Sequence, residues 1–222
     1  NSNGILLFNN ANNNTLIGNK IIGYNGIDIY STGNIISSNF IGYVNYGILI
    51  RRNNNTISEN TILECDFGIK INSHSNIIKN NNIHENAEGI YLSSRDNTIQ
   101  GNIITYNSIG IEIVASDNII KLNRVAINRI GFLIEQVSDN IITKNNIYLN
   151  YFMTAHFSYT GPRHDNDWIS NYWGRPRFLP KIIRGVTGIP FRQGYLMIIP
   201  VFDFDFSPAK EPYDISSPEV YS

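Results

Sequence analysis

The sequence predicts an all-β fold, a parallel β-helix (a solenoid of stacked turns) of about eight turns with about 21 residues in each. Two asparagines five residues apart recur in every turn, and a glycine recurs with the same period. Isoleucine, a residue that favours strands, fills the positions between them. Asparagine (34 residues) and isoleucine (40 residues) together make up a third of the chain, a composition typical of strands rather than helices.

The recurring asparagines predict the corners of the solenoid. The first of the pair is found at Asn14, Asn34, Asn55, Asn76, Asn97, Asn118 and Asn140. The second is found at Asn19, Asn39, Asn60, Asn81, Asn102, Asn123 and Asn145. Asparagine tolerates the left-handed backbone that a sharp corner needs, and its amide both donates and accepts hydrogen bonds. We therefore expect stacked copies to form structural ladders along the solenoid axis.

The apolar residues predict short strands that face a dry interior. Four apolar positions recur in each turn, and in the glycine-containing segment two of them lie two residues apart, as at Ile90 and Leu92. A spacing of two residues is that of a strand, and β-branched side chains suit strands better than helices. A leucine-rich repeat has a similar period, but its fixed leucine frame and its helix are not found here.

The repeat pattern weakens after Asn150, which predicts two regions. Residues 1–173 form the β-helix, and residues 174–222 form a proline-rich, aromatic C-terminal cap. Trp168 and Trp173 occupy two isoleucine positions in a last turn, where they are expected to close the core. All eight prolines lie at or after Pro162, and proline cannot donate a hydrogen bond to a sheet.

Two segments of the C-terminal region carry distinctive patterns. Residues 175–192 contain five basic and no acidic residues, and they form either an apolar cap or an exposed surface for a partner. The basic residues are Arg175, Arg177, Lys181, Arg184 and Arg192. Residues 201–206 alternate between apolar and acidic residues, which predicts a strand with its aromatic residues inward and with Asp203 and Asp205 outward.

Composition excludes several classes of partner. A net charge of −1 and a pI near 6.5 argue against nucleic acid. No apolar run approaches the 18 residues of a membrane span. The single cysteine, Cys65, excludes an intrachain disulfide. The repeat already occupies Gly4 to Phe8, so the first turn is expected to be covered by the rest of a longer chain or by a second copy stacked end to end.

One outward face of the solenoid is a candidate for carbohydrate. The residues concerned are Tyr30, Arg51, Lys70, Tyr91 and Glu112, which lie between or just beyond the apolar positions of the glycine segment. Tyrosines on a sheet can stack on sugar rings, although scattered tyrosines are also ordinary on a surface. A sugar-cleaving enzyme also needs a second acid near Glu112, and the sequence identifies none, so it favours a protein without catalytic activity.

The sequence offers weak metal candidates. Asp96, Asp117 and Asp139 precede ladder asparagines in successive turns, where they could share calcium or form a solvated acidic corner. Copper or zinc would need clustered histidine or cysteine, and the four histidines, His74, His84, His156 and His164, do not form an evident set. Asn13 and Asn54 begin N-x-T sequons and are possible glycosylation sites.

The pattern N-x-I-x-x-N-x-I-x-x-N-x-x-G-I-x-I, over about residues 4–173, resembles the NosD-like and CASH class of right-handed β-helix repeats in the pectin-lyase-like superfamily. The C-terminal segments around 171–173 and 207–215 resemble those of archaeal surface proteins. The resemblance implies a right-handed solenoid and an extracellular, cell-surface or periplasmic location.

Three functions are consistent with this resemblance. The first is a non-catalytic structural or interaction module that can assemble end to end. The second is a polysaccharide-binding or polysaccharide-cleaving protein. The third is an accessory protein of a periplasmic copper enzyme. Fold alone does not distinguish them.

Overall fold

A computed structural model describes residues 4–160, 165–190 and 196–215 of the chain. Every regular element in this part of the chain is a β-strand. The strands lie in three sheets, which we call sheets A, B and C and which have 10, 8 and 7 strands. Each turn of the solenoid visits sheet B, then sheet C, then sheet A.

The strands of sheet A are β1 (Ile5–Leu7), β4 (Ile27–Ile29), β7 (Tyr46–Ile50), β10 (Phe67–Ile71), β13 (Glu88–Leu92), β16 (Ile109–Ile113), β19 (Ile130–Glu135), β22 (Met153–Thr160), β24 (Lys181–Pro190) and β25 (Leu196–Asp205). Those of sheet B are β2 (Thr15–Ile17), β5 (Ile35–Ser37), β8 (Thr56–Ser58), β11 (Ile77–Lys79), β14 (Thr98–Gln100), β17 (Ile119–Lys121), β20 (Ile141–Thr143) and β23 (Asp167–Ile169). Those of sheet C are β3 (Lys20–Ile22), β6 (Phe40–Gly42), β9 (Thr61–Leu63), β12 (Asn82–His84), β15 (Ile103–Thr105), β18 (Arg124–Ala126) and β21 (Asn146–Tyr148).

The pairing of these strands confirms the predicted parallel β-helix. Each strand pairs in parallel with the strand one turn later, so Ile69 lies beside Ile90, and Ile90 lies beside Ile111. Sheet C contains one strand from each of seven turns, and β23 adds an eighth strand to sheet B. Positions one turn apart therefore form columns, in which equivalent residues lie directly beside one another.

The apolar columns form one continuous core. Ile48, Ile69 and Ile90 in sheet A are completely buried, as are their counterparts in the other sheets. Towards the end of the solenoid the residues become larger. The ring of Trp168 lies 5.7 Å from that of Phe132 and 5.7 Å from that of Trp173, and both tryptophans belong to the core.

The glycine column stands where two backbones approach closely. A Cβ atom on Gly89 would lie 2.6 Å from the carbonyl oxygen of Gly110 and 2.9 Å from a methyl group of Ile104. Real Cβ atoms do not come so near to backbone. Crowding by the adjacent turn therefore selects glycine in this column.

The asparagines form hydrogen-bonded ladders, as Asn102 illustrates. Its Oδ1 accepts the backbone N–H and the amide of Asn81, both at 2.9 Å. Its backbone N–H and its amide both donate to Asn123 Oδ1 at 2.9 Å. The amide also donates to the carbonyls of Ile78 and Gln100. Asn102 is fully buried, and each of its polar groups has a partner.

The left-handed residue of each corner is the one before the ladder asparagine, so our expectation for the asparagine itself was wrong. Asp96, Tyr106 and Leu122 have φ values of 58°, 59° and 54°. In several corners the following asparagine donates to the carbonyl two residues earlier, as Asn102 does to Gln100. This bond closes the corner around the intervening residue. The asparagine therefore contributes the hydrogen bonds of its side-chain amide and does not itself adopt a left-handed backbone conformation.

A third ladder lies at the corner between sheets C and A. Cys65 donates its backbone N–H to Asn86, and the series continues through Asn107 and Asn128 to Asn150. Cys65 Sγ lies 3.2 Å from the carbonyl of Leu63, the contact that an asparagine amide makes elsewhere. The buried thiol therefore stands in for a ladder asparagine.

The C-terminal strands extend sheet A beyond the predicted boundary at residue 174. Strand β24 pairs in parallel with β22, and β25 returns antiparallel to β24. Asp203 and Asp205 are buried, whereas Phe202 and Phe206 are exposed, so the prediction of inward aromatics and outward aspartates was wrong. The alternation is real, but it is the carboxylates that face the body.

Asp205 is buried because the second ladder needs an acceptor at its end. Every asparagine in that ladder donates to the next turn, and Asn171 follows Asn145 as its last member. Asp205 accepts the backbone N–H of Asn171 at 2.8 Å and the indole N–H of Trp173 at 3.0 Å. It also accepts the backbone N–H groups of Ser170 and Ser207.

Replacing Asn102 with alanine should lower the free energy of unfolding by about 3–5 kcal/mol, because two buried donors of Asn81 lose their acceptor and about 1–3 kcal/mol is lost for each. Chemical denaturation monitored by circular dichroism measures the change. The exposed Asn72, replaced with alanine, provides the control and should shift stability by less than about 0.5 kcal/mol. Equal effects of the two substitutions would contradict a structural role for the ladder.

Replacing Asp205 with alanine should also cost about 3–5 kcal/mol, because several buried donors lose a charged acceptor at once. The matched control is Asp214→Ala, which changes an exposed carboxylate in the same C-terminal region. Thermal unfolding of both variants is the measurement. A stability of Asp205→Ala equal to that of the control would show that the ladder does not depend on this carboxylate.

Candidate functional site

The outer surface of sheet A carries the residues that the sequence suggested for carbohydrate. We call this surface the sheet A face. The strand register places Lys70 beside Tyr91 and Tyr91 beside Glu112, in one column on successive turns. Arg51 and Tyr30 lie nearby, in the turns before Lys70. All five side chains are partly exposed, so they form one continuous surface.

Three aromatic rings surround the ammonium group of Lys70. The Nζ atom lies 4.2 Å from the ring centre of Phe67, 4.7 Å from that of Tyr91 and 5.6 Å from that of Tyr46. The rings of Tyr46 and Phe67 are stacked, with their centres 5.3 Å apart, and Phe67 meets Tyr91 edge to face. The cation–π contacts hold the lysine in place and leave ring surface on a partly exposed sheet.

Next to this aromatic group lies a pair of carboxyl groups. Glu88 occupies the first position of β13, which pairs with β16, the strand that contains Glu112. Glu88 Oε2 is inaccessible to solvent and has no hydrogen-bond partner among the described residues. Glu88 and Glu112 are thus a pair of partly buried carboxyl groups on the sheet A face.

The surroundings of the pair favour protonation. Burial raises the pKa of Glu112 to about 7, with further contributions from the negative charges of Glu88 and Glu135. Burial also raises the pKa of Glu88, and the nearby Lys70 opposes this effect. Glu112 thus gains or loses its proton near neutral pH.

Glu88 was not predicted because of its position in the strand. Glu88 has the same parity as the buried Ile90 and Leu92, so simple alternation assigns it to the core. In the strand register it is paired with Phe67, whose ring contacts Lys70 on the outer face. The signal that could have identified it is the column before each glycine, which contains Tyr46, Phe67 and Glu88.

A second, smaller group lies at the N-terminal part of the same face. Arg51 Nε donates to Asp28 Oδ1 at 3.0 Å, and the guanidinium group lies 4.8 Å from the ring centre of Tyr30. An arginine held between a carboxylate and an aromatic ring is well oriented to bind a hydroxyl or acidic group.

The structure does not support the calcium candidates. Among the described residues, no group of three or more His, Cys, Asp or Glu side chains is arranged to hold a metal ion. Asp96, Asp117 and Asp139 each lie at a left-handed corner with an exposed side chain, so they do not converge. Asp96 Oδ2 lies 3.5 Å from Arg95 Nε, and Asp139 Oδ2 accepts a hydrogen bond from the Ser138 hydroxyl.

The histidines and the cysteine likewise remain apart. The Nδ1 atom of His74 is hydrogen-bonded to the Ser75 hydroxyl, and that of His84 lies 3.9 Å from the Glu85 carboxylate. His156 is paired with Arg184 in the strand register. His164 lies outside the described residues. Burial raises the pKa of the Cys65 thiol to about 11, so this side chain is not a thiolate at neutral pH.

The remaining predicted positions lie on the surface. Asn13 and Asn54, the possible glycosylation sites, are exposed at left-handed corners. In the basic segment, Phe178 and Leu179 are largely exposed, whereas Ile183 is buried. Arg192 lies outside the described residues. The described part of the chain contains no helix long and apolar enough to cross a membrane.

Comparison with known proteins gives one family. The family model described as "Periplasmic copper-binding protein (NosD)" matches residues 1–178. No curated protein matches the chain. The matched residues include the solenoid turns and most of the sheet A face.

The raised pKa of Glu112 predicts how stability depends on pH. The folded protein binds more protons than the unfolded chain between pH 4.5 and about 7, so the contribution of this group is complete below pH 4.5 and is lost as the pH rises through 7. The Glu112→Gln variant keeps a neutral hydrogen-bonding side chain. Its melting temperature should therefore fall less than that of the wild type between pH 5 and pH 8.

Melting temperatures measured across this range by calorimetry test the prediction. The exposed Glu59, replaced with glutamine, is the control and should follow the wild-type profile. Parallel profiles for Glu112→Gln and the wild type would show that the carboxyl pair does not titrate in this range.

Proposed function

Since the chain belongs to the NosD family of β-helix proteins, we propose that it is a periplasmic or cell-surface protein that binds a saccharide chain on the sheet A face. The observation that carries this proposal is the group formed by Lys70, its three aromatic rings and the adjacent carboxyl pair. Aromatic rings offer apolar surface to the C–H groups of a sugar, and the polar groups beside them can bind its hydroxyls.

The shape of the face suits an extended ligand. The columns continue from turn to turn in fixed register, so Arg51 and Tyr30 extend the surface beyond Lys70. A chain of sugar rings is a repeating ligand, and a solenoid presents repeating positions. The partly exposed rings and charges along several turns therefore match a saccharide better than a single small molecule.

The geometry of the carboxyl groups favours binding over hydrolysis. Glycosidases hold their two carboxyl groups about 5–5.5 Å apart when they retain configuration, and about 6.5–9.5 Å apart when they invert it. Glu88 Oε2 is inaccessible to solvent, so this carboxyl group does not present both of its oxygen atoms to a sugar or to an attacking water molecule. The proposed role is accordingly non-catalytic.

The copper named in the family description finds no site among the described residues. Copper binds clustered histidine, cysteine or methionine side chains, and here the histidines are dispersed and Cys65 is buried and protonated. The residues present therefore do not fit a resident copper ion, and we base no function on one. This disagreement favours a role for the sheet A face over a role in copper binding.

Screening the purified protein against a panel of polysaccharides tests the proposal. Tyr91→Ala should weaken binding of any ligand found by about tenfold, because a stacking surface next to Lys70 is lost. Lys70→Met keeps most of the packing and removes the charge, so a loss of affinity there would identify a polar contribution. Incubation of a bound polysaccharide with the protein should release no shortened saccharide chains.

The matched control is Tyr24→Ala, which removes a tyrosine that is 76% exposed. The control should bind as the wild type does. Failure to bind any glycan, or equal binding by the Tyr91→Ala and wild-type proteins, would contradict the proposal. Release of shortened saccharides would contradict the non-catalytic part of it.

A further inference from the structure

A separate cavity lies near the C-terminal end of sheet C. Its volume is about 460 Å³, within the range of roughly 300–1,000 Å³ that is usual for small-ligand sites. Tyr148, Tyr172 and Trp173 supply aromatic walls, Arg175 supplies a charge, and Pro212 closes one side. None of these residues belongs to the sheet A face.

The wall that contains Pro212 is held firmly in place. Tyr213 donates its backbone N–H to Asn146 Oδ1 at 2.9 Å, and its carbonyl accepts the amide of the same asparagine at 2.8 Å. The hydroxyl of Tyr213 donates to the carbonyl of Ser170 at 2.7 Å. The C-terminal segment is thus fixed to the solenoid, and the cavity exists before any ligand arrives.

The aromatic walls meet at an angle. The rings of Tyr148 and Tyr172 lie 6.3 Å apart and are inclined at 72°, so they offer a ring face and a ring edge. The guanidinium group of Arg124 lies 5.7 Å from the ring centre of Tyr148, and its Nε atom is buried without a partner among the described residues. This arrangement combines apolar surface with an unused donor.

The cavity also lies beside an excess of positive charge. Lys181 Nζ lies 5.5 Å from the ring centre of Trp173. Burial lowers the pKa of Lys181, and so do the charges of Arg177, Arg184 and Arg175. Within the described residues, none of these four cations takes part in a salt bridge, and Arg177 Nε is buried without a hydrogen-bond partner.

Among the described residues, Asp205 forms no salt bridge with these cations. Asp205 is paired with Lys181 in the strand register, but it accepts hydrogen bonds from Asn171 and Trp173. Of the four cations, Arg175 lines the cavity, so an anion there would meet its guanidinium group. Cations brought together at a cost in repulsion are typical of anion-binding sites.

We infer that this cavity binds one acidic sugar unit, with its ring against Tyr148 and Trp173 and its acidic group on Arg175. The aromatic walls favour a ring with apolar C–H faces over a small inorganic anion. The planar guanidinium group can bind a carboxylate through two parallel hydrogen bonds. The site is distinct from the sheet A face, so the failure of either proposal leaves the other unaffected.

Isothermal titration calorimetry with three probes tests the inference on the whole chain. Glucuronate carries both ring and acid, glucose carries the ring alone, and acetate carries the acid alone. Glucuronate should bind at least about tenfold more tightly than either fragment, because it makes both kinds of contact. Its affinity should fall as salt concentration rises.

Variants then locate the site. Arg175 is exposed, so Arg175→Gln should fold normally and should weaken glucuronate binding about tenfold or more, and Arg175→Lys should restore part of the loss. The matched control is Arg52→Gln, an exposed arginine on a distant turn, which should leave the affinity unchanged within about twofold. Tyr172→Ala should weaken the binding of glucuronate and leave the melting temperature of the protein nearly unchanged.

Four results would overturn the inference. The first is no detectable binding of glucuronate. The second is equal affinity for glucuronate and glucose, which would remove the role of charge. The third is equal affinity for glucuronate and acetate, which would remove the role of the ring. The fourth is unchanged affinity in the Arg175→Gln variant, which would move the binding elsewhere.

Discussion

The hydrogen bond from one corner asparagine to the next is the interaction on which the solenoid depends. Buried amides are costly unless each donor and acceptor is used, and Asn102 shows how every group is used within one ladder. The bond joins residues one turn apart, so it fixes the length of the turn. With that length fixed, isoleucine lies on isoleucine, glycine lies on glycine, and the outward residues of sheet A form columns. The columns of the sheet A face are therefore a consequence of the hydrogen bonds at the corners.

The repeat made the body of the molecule predictable. In a periodic chain the partner of a residue is its counterpart one turn later, so the sequence itself gives the contact, as for Ile69 and Ile90. Prediction failed for residues that have no counterpart one turn later. The alternation of apolar and acidic residues in 201–206 was visible in the sequence. However, Asp205 faces inward because it accepts a hydrogen bond from Asn171 at the end of a ladder. Glu88 was missed because it has the same parity along the strand as the buried Ile90 and Leu92. The cavity wall joins Asn146 to Tyr213, two residues with no periodic relation.

Family membership and local chemistry give different kinds of information about this chain. The family match accounts for the solenoid, but the described residues bring together no cluster of ligands that would hold copper. A β-helix of this kind is a rigid support whose corners and interior are committed to structure, so differences in function must arise on its outer columns and at its C-terminal end. In the described part of the chain, the sheet A face and the C-terminal cavity both bring aromatic rings and charged side chains together.

The ladders also have a direction, since every asparagine donates toward the C-terminal turn. A turn inserted in the middle would bring its own donor and its own acceptor, and it would leave the bonds on either side unchanged. The acceptor supplied by Asp205 is needed once, whatever the number of turns. The length of such a protein can therefore change by whole repeats through gene duplication, while its terminating carboxylate and the cavity beside it are inherited intact.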